Sequence, residues 1–180
     1  MSYIEIFLLA LALSVDACVV SFSYGLIFEK NRLKNALLLA SFTSFFQGLM
    51  PLFGYYLTSF FSDFLAPYAG IIICTIFVFL GLKFIKEAFD KKKEKPLCIS
   101  LLCLFMIGIA TSIDAFSAGI SLLLEGNRIL KPVLLITVIT FMNSNLGFIL
   151  GGKLKSLPTK WLEIFAGIIL ICLGIKAIIA

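Results

Sequence analysis

Six long apolar stretches, separated by short polar segments, constrain this chain more than any other feature of its sequence. Each is close to or longer than the roughly 20 residues that an α-helix needs to cross about 30 Å of hydrocarbon. Hydrophobic residues make up 61% of the chain and charged residues 14%, against about 45–50% and about 25% in soluble domains. We therefore predict an all-α integral membrane protein with six transmembrane helices, at residues 3–26, 37–58, 67–88, 97–124, 132–151 and 161–180.

The basic residues are distributed unevenly among the segments that separate these stretches. Twelve of the 15 Lys and Arg residues lie in or beside the first, third and fifth segments, and the other three are Arg128, Lys131 and Lys176. Because cytoplasmic loops carry the excess of Lys and Arg, we predict that the odd-numbered loops are cytoplasmic and that both termini are outside. The net charge of +5 then reflects membrane topology and lipid surroundings, and no nucleic-acid partner is expected.

The second half of the chain repeats the first. The tetrapeptide Ser-x-Asp-Ala occurs at residues 14–17 and returns 98 residues later at 112–115, while Gly54 and Gly147 are 93 residues apart. Each half holds three predicted helices, so the second copy must cross the membrane in the opposite direction. We predict two inverted three-helix repeats, residues 1–95 and 96–180, that form one membrane domain. In transporters, inverted repeats place a binding site near the membrane midplane at their interface.

The repeated motif puts a carboxylate, Asp16 or Asp114, deep inside an apolar stretch. A carboxylate at the centre of a membrane helix costs roughly 2.5–3.5 kcal/mol on insertion scales, and such residues usually belong to substrate, ion or proton sites. Two ionised carboxylates close together repel each other, so a proton is expected to be held, whereas a divalent cation would neutralise both. This favours exchange of a cation for protons. The alternative is that both aspartates only bond neighbouring helices.

Other polar side chains share helix faces with or near the aspartates. Gln47 in the second predicted helix and Asn143 in the fifth are candidate metal ligands; the alternative for both is hydrogen bonding between helices. We expect supporting or gating roles for a further set of residues. Alternatively, Ser14 and Ser112 could bond back to their own helix, Thr140 and Ser144 could form hydrogen bonds between helices, and the proline could serve only to kink its helix. This set is Ser14, Ser112, Thr111, Pro51, Thr140 and Ser144.

A site built from carboxylate, amide and hydroxyl oxygens suits Mg²⁺, Ca²⁺ or Mn²⁺. The sequence has no His, which argues against the imidazole-rich sites of Zn²⁺, Ni²⁺ and Cu²⁺. The five Cys residues show no C-x-x-C spacing, and we expect them to act as small apolar side chains and not as a disulfide framework. An enzyme is not expected, because no His and no nucleophile–base arrangement is present. No cofactor is expected besides a transported ion.

Four segments carry a family resemblance: "ALSVDA", "FFQGLMPLFG", "LGLKFIKEAF" and "ATSIDAFSAGISL". With these segments the chain resembles the MntP-type manganese efflux pumps of the LysE transporter superfamily. The resemblance implies export of Mn²⁺ across the bacterial cytoplasmic membrane, with Asp16 and Asp114 as the central acidic residues. It also implies a role for Glu87 at the cytoplasmic mouth, the alternative being a solvated charge among lysines. The segment "FMNSNLG" departs from the family pattern in its amide content.

The leading hypothesis is therefore a secondary transporter that exports Mn²⁺ or a similar divalent cation by cation/proton antiport. A second hypothesis is export of another small solute, such as an amino acid. Two intramembrane acids without a basic intramembrane partner argue against a carboxylate substrate. A third hypothesis, from a different class, is a membrane assembly or developmental factor that transports nothing.

Overall fold

The structure, a computed structural model, describes residues 3–28, 30–89, 100–126, 128–153 and 159–179. These residues form α-helices joined by short connections, with one 3₁₀ turn at Ala66–Tyr68 and no strand in the ranges just given. The helices are α1 (Tyr3–Ile27), α2 (Arg32–Ser59), α3 (Ser62–Leu65), α4 (Ala69–Phe89), α5 (Leu101–Ala110), α6 (Ile113–Leu124), α7 (Leu130–Lys153) and α8 (Thr159–Ile179).

The long helices have the length and surface of membrane spans. Three of them, α1, α2 and α7, are long and apolar enough to cross a bilayer, and α5 with α6 makes a fourth span if the bent pair is one unit. Shorter apolar stretches, Ile71–Lys83 and Gly167–Lys176, lie within α4 and α8. Large apolar side chains face outward along the helices, which is typical of a lipid-facing surface; Phe45, Phe53 and Phe79, for example, are 57–68% exposed. The chain is a multi-pass, all-helical membrane protein.

The fourth predicted stretch is not the single continuous helix that we expected. It breaks at Thr111 and Ser112 into α5 and α6, which are bent by 42° relative to each other. The Thr111 hydroxyl donates to the carbonyl of Ile107 at 2.9 Å, and the Ser112 hydroxyl donates to that of Gly108 at 2.7 Å. Hydroxyls that bond back to the main chain in this way compete with the helical hydrogen bonds and bend helices. The stretch predicted as the fourth span therefore consists of two helices in the described residues 101–124.

The membrane helices pack side by side in a closed ring. Going around it, α1 contacts α7, α7 contacts α2, α2 contacts the α5–α6 pair, α6 contacts α4, α4 contacts α8, and α8 returns to α1. The most extensive contacts are those of α1 with α7 and of α4 with α8. Fully buried apolar side chains on α1, α4, α6 and α8 form the shared core; they include Leu9, Leu13, Phe77, Leu122 and Leu170.

Two of the closest helix contacts occur at equivalent positions in the two halves. Gly54 of α2 lies against the main-chain carbonyl of Phe116 in α6, and Gly147 of α7 lies against that of Cys18 in α1. Gly147 follows Gly54 by 93 residues and Phe116 follows Cys18 by 98 residues, which are the two offsets of the sequence repeat. A Cβ atom at either glycine would overlap the facing carbonyl oxygen, so only glycine permits this approach.

The cysteines differ from the prediction in one respect. Cys103 is disulfide-bonded, whereas Cys18, Cys74 and Cys172 are free thiols. Cys98 lies outside the described residues. The predicted boundary between the two repeats, at residues 95 and 96, lies outside them as well.

Candidate ion-binding site

The side chain of Gln47 joins the two copies of the repeated motif. Gln47 lies in α2 and is fully buried. Its Nε2 donates to the carbonyl oxygen of Leu13 at 2.8 Å, and its Oε1 accepts from Oγ of Ser112 at 3.1 Å. Leu13 directly precedes the first motif and Ser112 begins the second. One buried amide therefore brings the two motif segments, on α1 and at the α5–α6 break, to the same place in the fold.

The two aspartates share one local arrangement. Oδ1 of Asp16 accepts from the main-chain N–H of Ala17 at 2.6 Å, and Oδ1 of Asp114 accepts from that of Ala115 at 2.8 Å. Asp114 is buried, with 2% of its surface exposed, and Asp16 is half-buried. Asp16 follows Leu13, and Asp114 follows Ser112, by less than one helical turn, which is a rise of about 5 Å or less. The chain positions of the two aspartates thus lie within one helical turn of the two ends of the Gln47 amide, on separate helices.

Asn143 attaches α7 to the first motif. Its Nδ2 donates to Oγ of Ser14 at 2.6 Å, while Ser14 itself donates to the carbonyl of Leu11 at 2.8 Å. Both motif serines thus bond back to their own helices, Ser14 here and Ser112 through Gly108, as the alternative for them predicted. In contrast, Asn145 donates to Phe141 of its own helix. Of the two asparagines in this part of α7, Asn143 is therefore the one that reaches the motif.

A cluster of three buried hydroxyls lies beside the site, at the junction of α1, α2 and α7. Oγ of Ser144 is 2.6 Å from Oγ of Ser21 and accepts from Oγ1 of Thr43 at 3.3 Å. Ser21 is not among the predicted site residues, and no sequence pattern marks it. The structure contains an equivalent contact in the other half: Gly119, 98 residues after Ser21, packs against Pro51, and Ser144 follows Pro51 by 93 residues. The register of the repeat therefore pairs Ser21 with Ser144.

The remaining predicted residues have different surroundings. The Thr140 hydroxyl is fully buried and has no hydrogen-bond partner in the part of the chain that the structure describes. The Thr111 hydroxyl bonds back to α5. α2 stays helical through Pro51; because proline has no N–H, the Gln47 carbonyl four residues earlier does not receive its usual helical hydrogen bond. The side chain of Glu87 lies outside what the structure describes.

The donor set limits the kind of ion that this region can hold. Nowhere in the described ranges do three or more His, Cys, Asp or Glu side chains converge. The charge of a site here would come from the two aspartates, and the other ligands would be neutral oxygens of amides, hydroxyls, the main chain or water. Such oxygens suit hard or borderline divalent cations. A site with few charged ligands also suits an ion that must leave again, since conduction requires weak enough binding.

Comparison with known proteins agrees with these features. A family profile described as "Putative manganese efflux pump" matches residues 30–178. A protein of Methanosarcina acetivorans named "Putative manganese efflux pump MntP" is 40% identical over 98% of this chain and 95% of its own length. Proteins of the same name from Methanosarcina mazei, 39% identical over 98% and 95%, and Crocosphaera subtropica, 37% identical over 99% and 96%, are also similar. No solved structure matches the chain significantly. The chain therefore belongs to the MntP family.

Proposed function

We propose that this protein is a secondary transporter, not an enzyme, that exports Mn²⁺ or a similar divalent cation from the cytoplasm in exchange for protons. The names of its relatives support manganese efflux. The observation that carries the proposal is the position of Gln47, whose amide bonds within 3.1 Å to a group beside each intramembrane aspartate. Two carboxylates on separate helices beside one buried amide can hold one divalent cation between them.

We assign different roles to the polar residues around this cation. Asp16 and Asp114 supply the charge. Asn143 uses its amide nitrogen on Ser14, which leaves its amide oxygen as a neutral ligand. Gln47 has both ends of its amide engaged, so we assign it to hold the two motifs together, with at most a secondary role as a ligand. The hydroxyl of Thr140, which has no hydrogen-bond partner among the described residues, is a further neutral ligand.

Proton exchange follows from the charge of the empty site. Two carboxylates in a low-dielectric region do not both stay ionised without a counterion, so protons bind when the metal leaves. The cation and the protons then compete for the same oxygens. This competition is the physical basis of the proposed antiport.

We further propose six membrane spans arranged as two inverted repeats in the cytoplasmic membrane, with both termini outside. The matched contacts of Gly54 and Gly147 support the repeat. The order of helices in the ring supports it too, because α1 contacts α7 and α8 as the α5–α6 pair contacts α2 and α4. The excess of Lys and Arg in the odd-numbered segments supports the orientation. Lipid is the surrounding partner.

The test is Mn²⁺ flux into or out of liposomes that contain the purified protein. Asp16→Asn and Asp114→Asn keep the side-chain shape but remove the charge, and each is expected to abolish flux while the protein stays folded. Asp63→Asn is the matched control, because Asp63 belongs to the short helix α3 and not to a motif; it should transport normally. An internal pH dye records whether protons move in the opposite direction. Normal flux in both motif variants would refute the proposed site.

A further inference from the structure

The two motifs have the same local bonding but different helix geometry. α1 is continuous through Leu13 and Ser14. The equivalent residues 98 positions later, Thr111 and Ser112, form the break between α5 and α6 with its 42° bend. In both copies the N–H after the aspartate donates to that aspartate. The same four-residue pattern therefore exists in a straight and a bent form within one molecule.

Two side chains add hydrogen bonds to α1 at the position equivalent to the break. In an α-helix the N–H of Ala17 would donate to the carbonyl of Leu13, four residues earlier. In the continuous helix α1 the N–H of Ala17 also donates to Oδ1 of Asp16, and the Leu13 carbonyl also accepts from Nε2 of Gln47. The acceptor equivalent to Leu13 in the second half is Thr111, which lies in the break itself. The donor and the acceptor of one helical bond, the N–H of Ala17 and the carbonyl of Leu13, thus each have a side chain as a second partner.

A bond from Asn143 is present in the straight copy and has no equivalent in the bent one. Asn143 donates to Ser14 from α7 and so holds the first motif against its neighbour. The residue equivalent to Asn143 in the first half, 93 positions earlier, is Met50, which has no hydrogen-bond donor. Ser112 instead donates to Gln47 of α2, whereas Ser14 receives its bond from Asn143 of α7.

The N-terminal part of α1 packs in the core through Leu9 and Leu13, and its tip makes exposed polar contacts. Nζ of Lys176 lies 2.5 Å from Oε1 of Glu5, and Nζ of Lys131 donates to the Tyr3 hydroxyl at 3.2 Å. The Lys176 side chain is 54% exposed. Exposed ion pairs of this kind contribute little to stability and exchange readily with water. They can therefore be broken and remade during a transport cycle.

We propose that α1 has a hinge at Leu13–Ser14, and that Asn143 and Gln47 are positioning residues that keep this hinge straight. In the alternate state of the transporter, residues 3–13 swing as a unit and α1 bends as α5–α6 does here. This inference rests on the proposed transport function, because it describes how the site would open to the opposite side. A segment of this length bent by 42° moves its tip by about 10 Å at 1.5 Å rise per residue.

The hinge is tested by distance measurement with pulsed electron paramagnetic resonance on the full protein in liposomes. Spin labels are placed at Ile4→Cys on α1 and Leu57→Cys on α2, which are 72% and 54% exposed, after the free thiols Cys18, Cys74 and Cys172 are changed to Ala. The expected result is two distances that differ by up to about 10 Å and whose ratio changes when Mn²⁺ is added. Without metal, Asn143→Ala should raise the fraction of molecules at the distance of the bent state about threefold, as the loss of one average interhelical hydrogen bond predicts. Asn145→Ala, which removes only a bond within α7, should not.

The outcomes separate the hinge from the transport function. A single distance under all conditions, in protein that transports Mn²⁺, would overturn the hinge and leave the proposed function intact. Two distances in protein that moves no Mn²⁺ would support the hinge and overturn the proposed function. The comparison with and without Mn²⁺ needs only the labelled parent protein, so it decides the matter even if Asn143→Ala does not fold.

Discussion

Replacing Gly147 with alanine should destabilise the protein through a clash that no side-chain rotation can relieve. The added Cβ would overlap the main-chain oxygen of Cys18 and lie 3.1 Å from both its carbonyl carbon and its Sγ. Carbon atoms in contact prefer a separation of about 3.5–4.0 Å. Because the obstacle is main chain, α1 and α7 must move apart, and the contact between these helices is among the most extensive in the molecule.

The size of the effect follows from two opposing contributions. Forcing an extra carbon into a packed interior costs typically about 1–3 kcal/mol, whereas Gly→Ala within a helix favours the helix by about 1 kcal/mol. Gly152→Ala is the matched control in the same helix, since its Cβ meets only the flexible guanidinium end of Arg32. The difference between the two variants therefore isolates the clash, and we expect Gly147→Ala to be the less stable by about 1–3 kcal/mol.

The assay is equilibrium unfolding in mixed dodecylmaltoside and sodium dodecyl sulfate micelles, followed by far-ultraviolet circular dichroism. Gly54→Ala, which meets the carbonyl of Phe116 in the equivalent contact, should lose a similar amount of stability. Equal stability of Gly147→Ala and Gly152→Ala would refute the close approach of α1 and α7. A large loss in only one of Gly54→Ala and Gly147→Ala would refute the equivalence of the two halves.

Three further predictions concern polar side chains. Gln47→Leu removes both bonds to the motifs and should destabilise the protein by about 1–3 kcal/mol in the same unfolding assay, at ~0.6–1.7 kcal/mol per bond. The control Ser44→Ala loses only a bond within α2 and should cost much less stability. Equal losses in the two variants would count against the role of Gln47. Lys176→Gln removes an exposed ion pair and should change stability by less than about 1 kcal/mol, with an effect that shrinks at high salt; a larger, salt-independent loss would contradict this. Thr140→Val removes a buried hydroxyl without a partner among the described residues, so stability should stay equal or rise while Mn²⁺ flux falls. Unchanged flux would remove Thr140 from the site.

Much of the architecture could be predicted because it depends on periodic, local features of the sequence. The apolar stretches overlap the helices because span length follows from bilayer thickness. The register of the repeat, taken from Gly54 and Gly147, matches contacts that the structure contains. Asp16 and Asp114 were prominent because carboxylates are rare inside apolar segments.

The break between α5 and α6 could not be predicted, because the same motif stays helical in α1. The two copies differ in what other helices contribute: Ser14 receives a bond from Asn143, whereas Ser112 donates to Gln47. Such contacts join residues more than 60 positions apart and leave no local sequence pattern. For the same reason the sequence identified Gln47 as a polar residue of the site but not as the link between the motifs.

The ring arrangement has a consequence for how the protein is made in the membrane. Every extensive helix contact joins a partner from the first half to one from the second: α1 with α7 and α8, α2 with α6 and α7, and α4 with α6 and α8. The helices α1, α2 and α4 leave the ribosome before any of these partners exist. We therefore expect these helices to remain loosely associated in the bilayer at first. The core should form only late in synthesis, when the second half inserts. Two separately expressed halves should likewise assemble with each other, but neither should be stable alone.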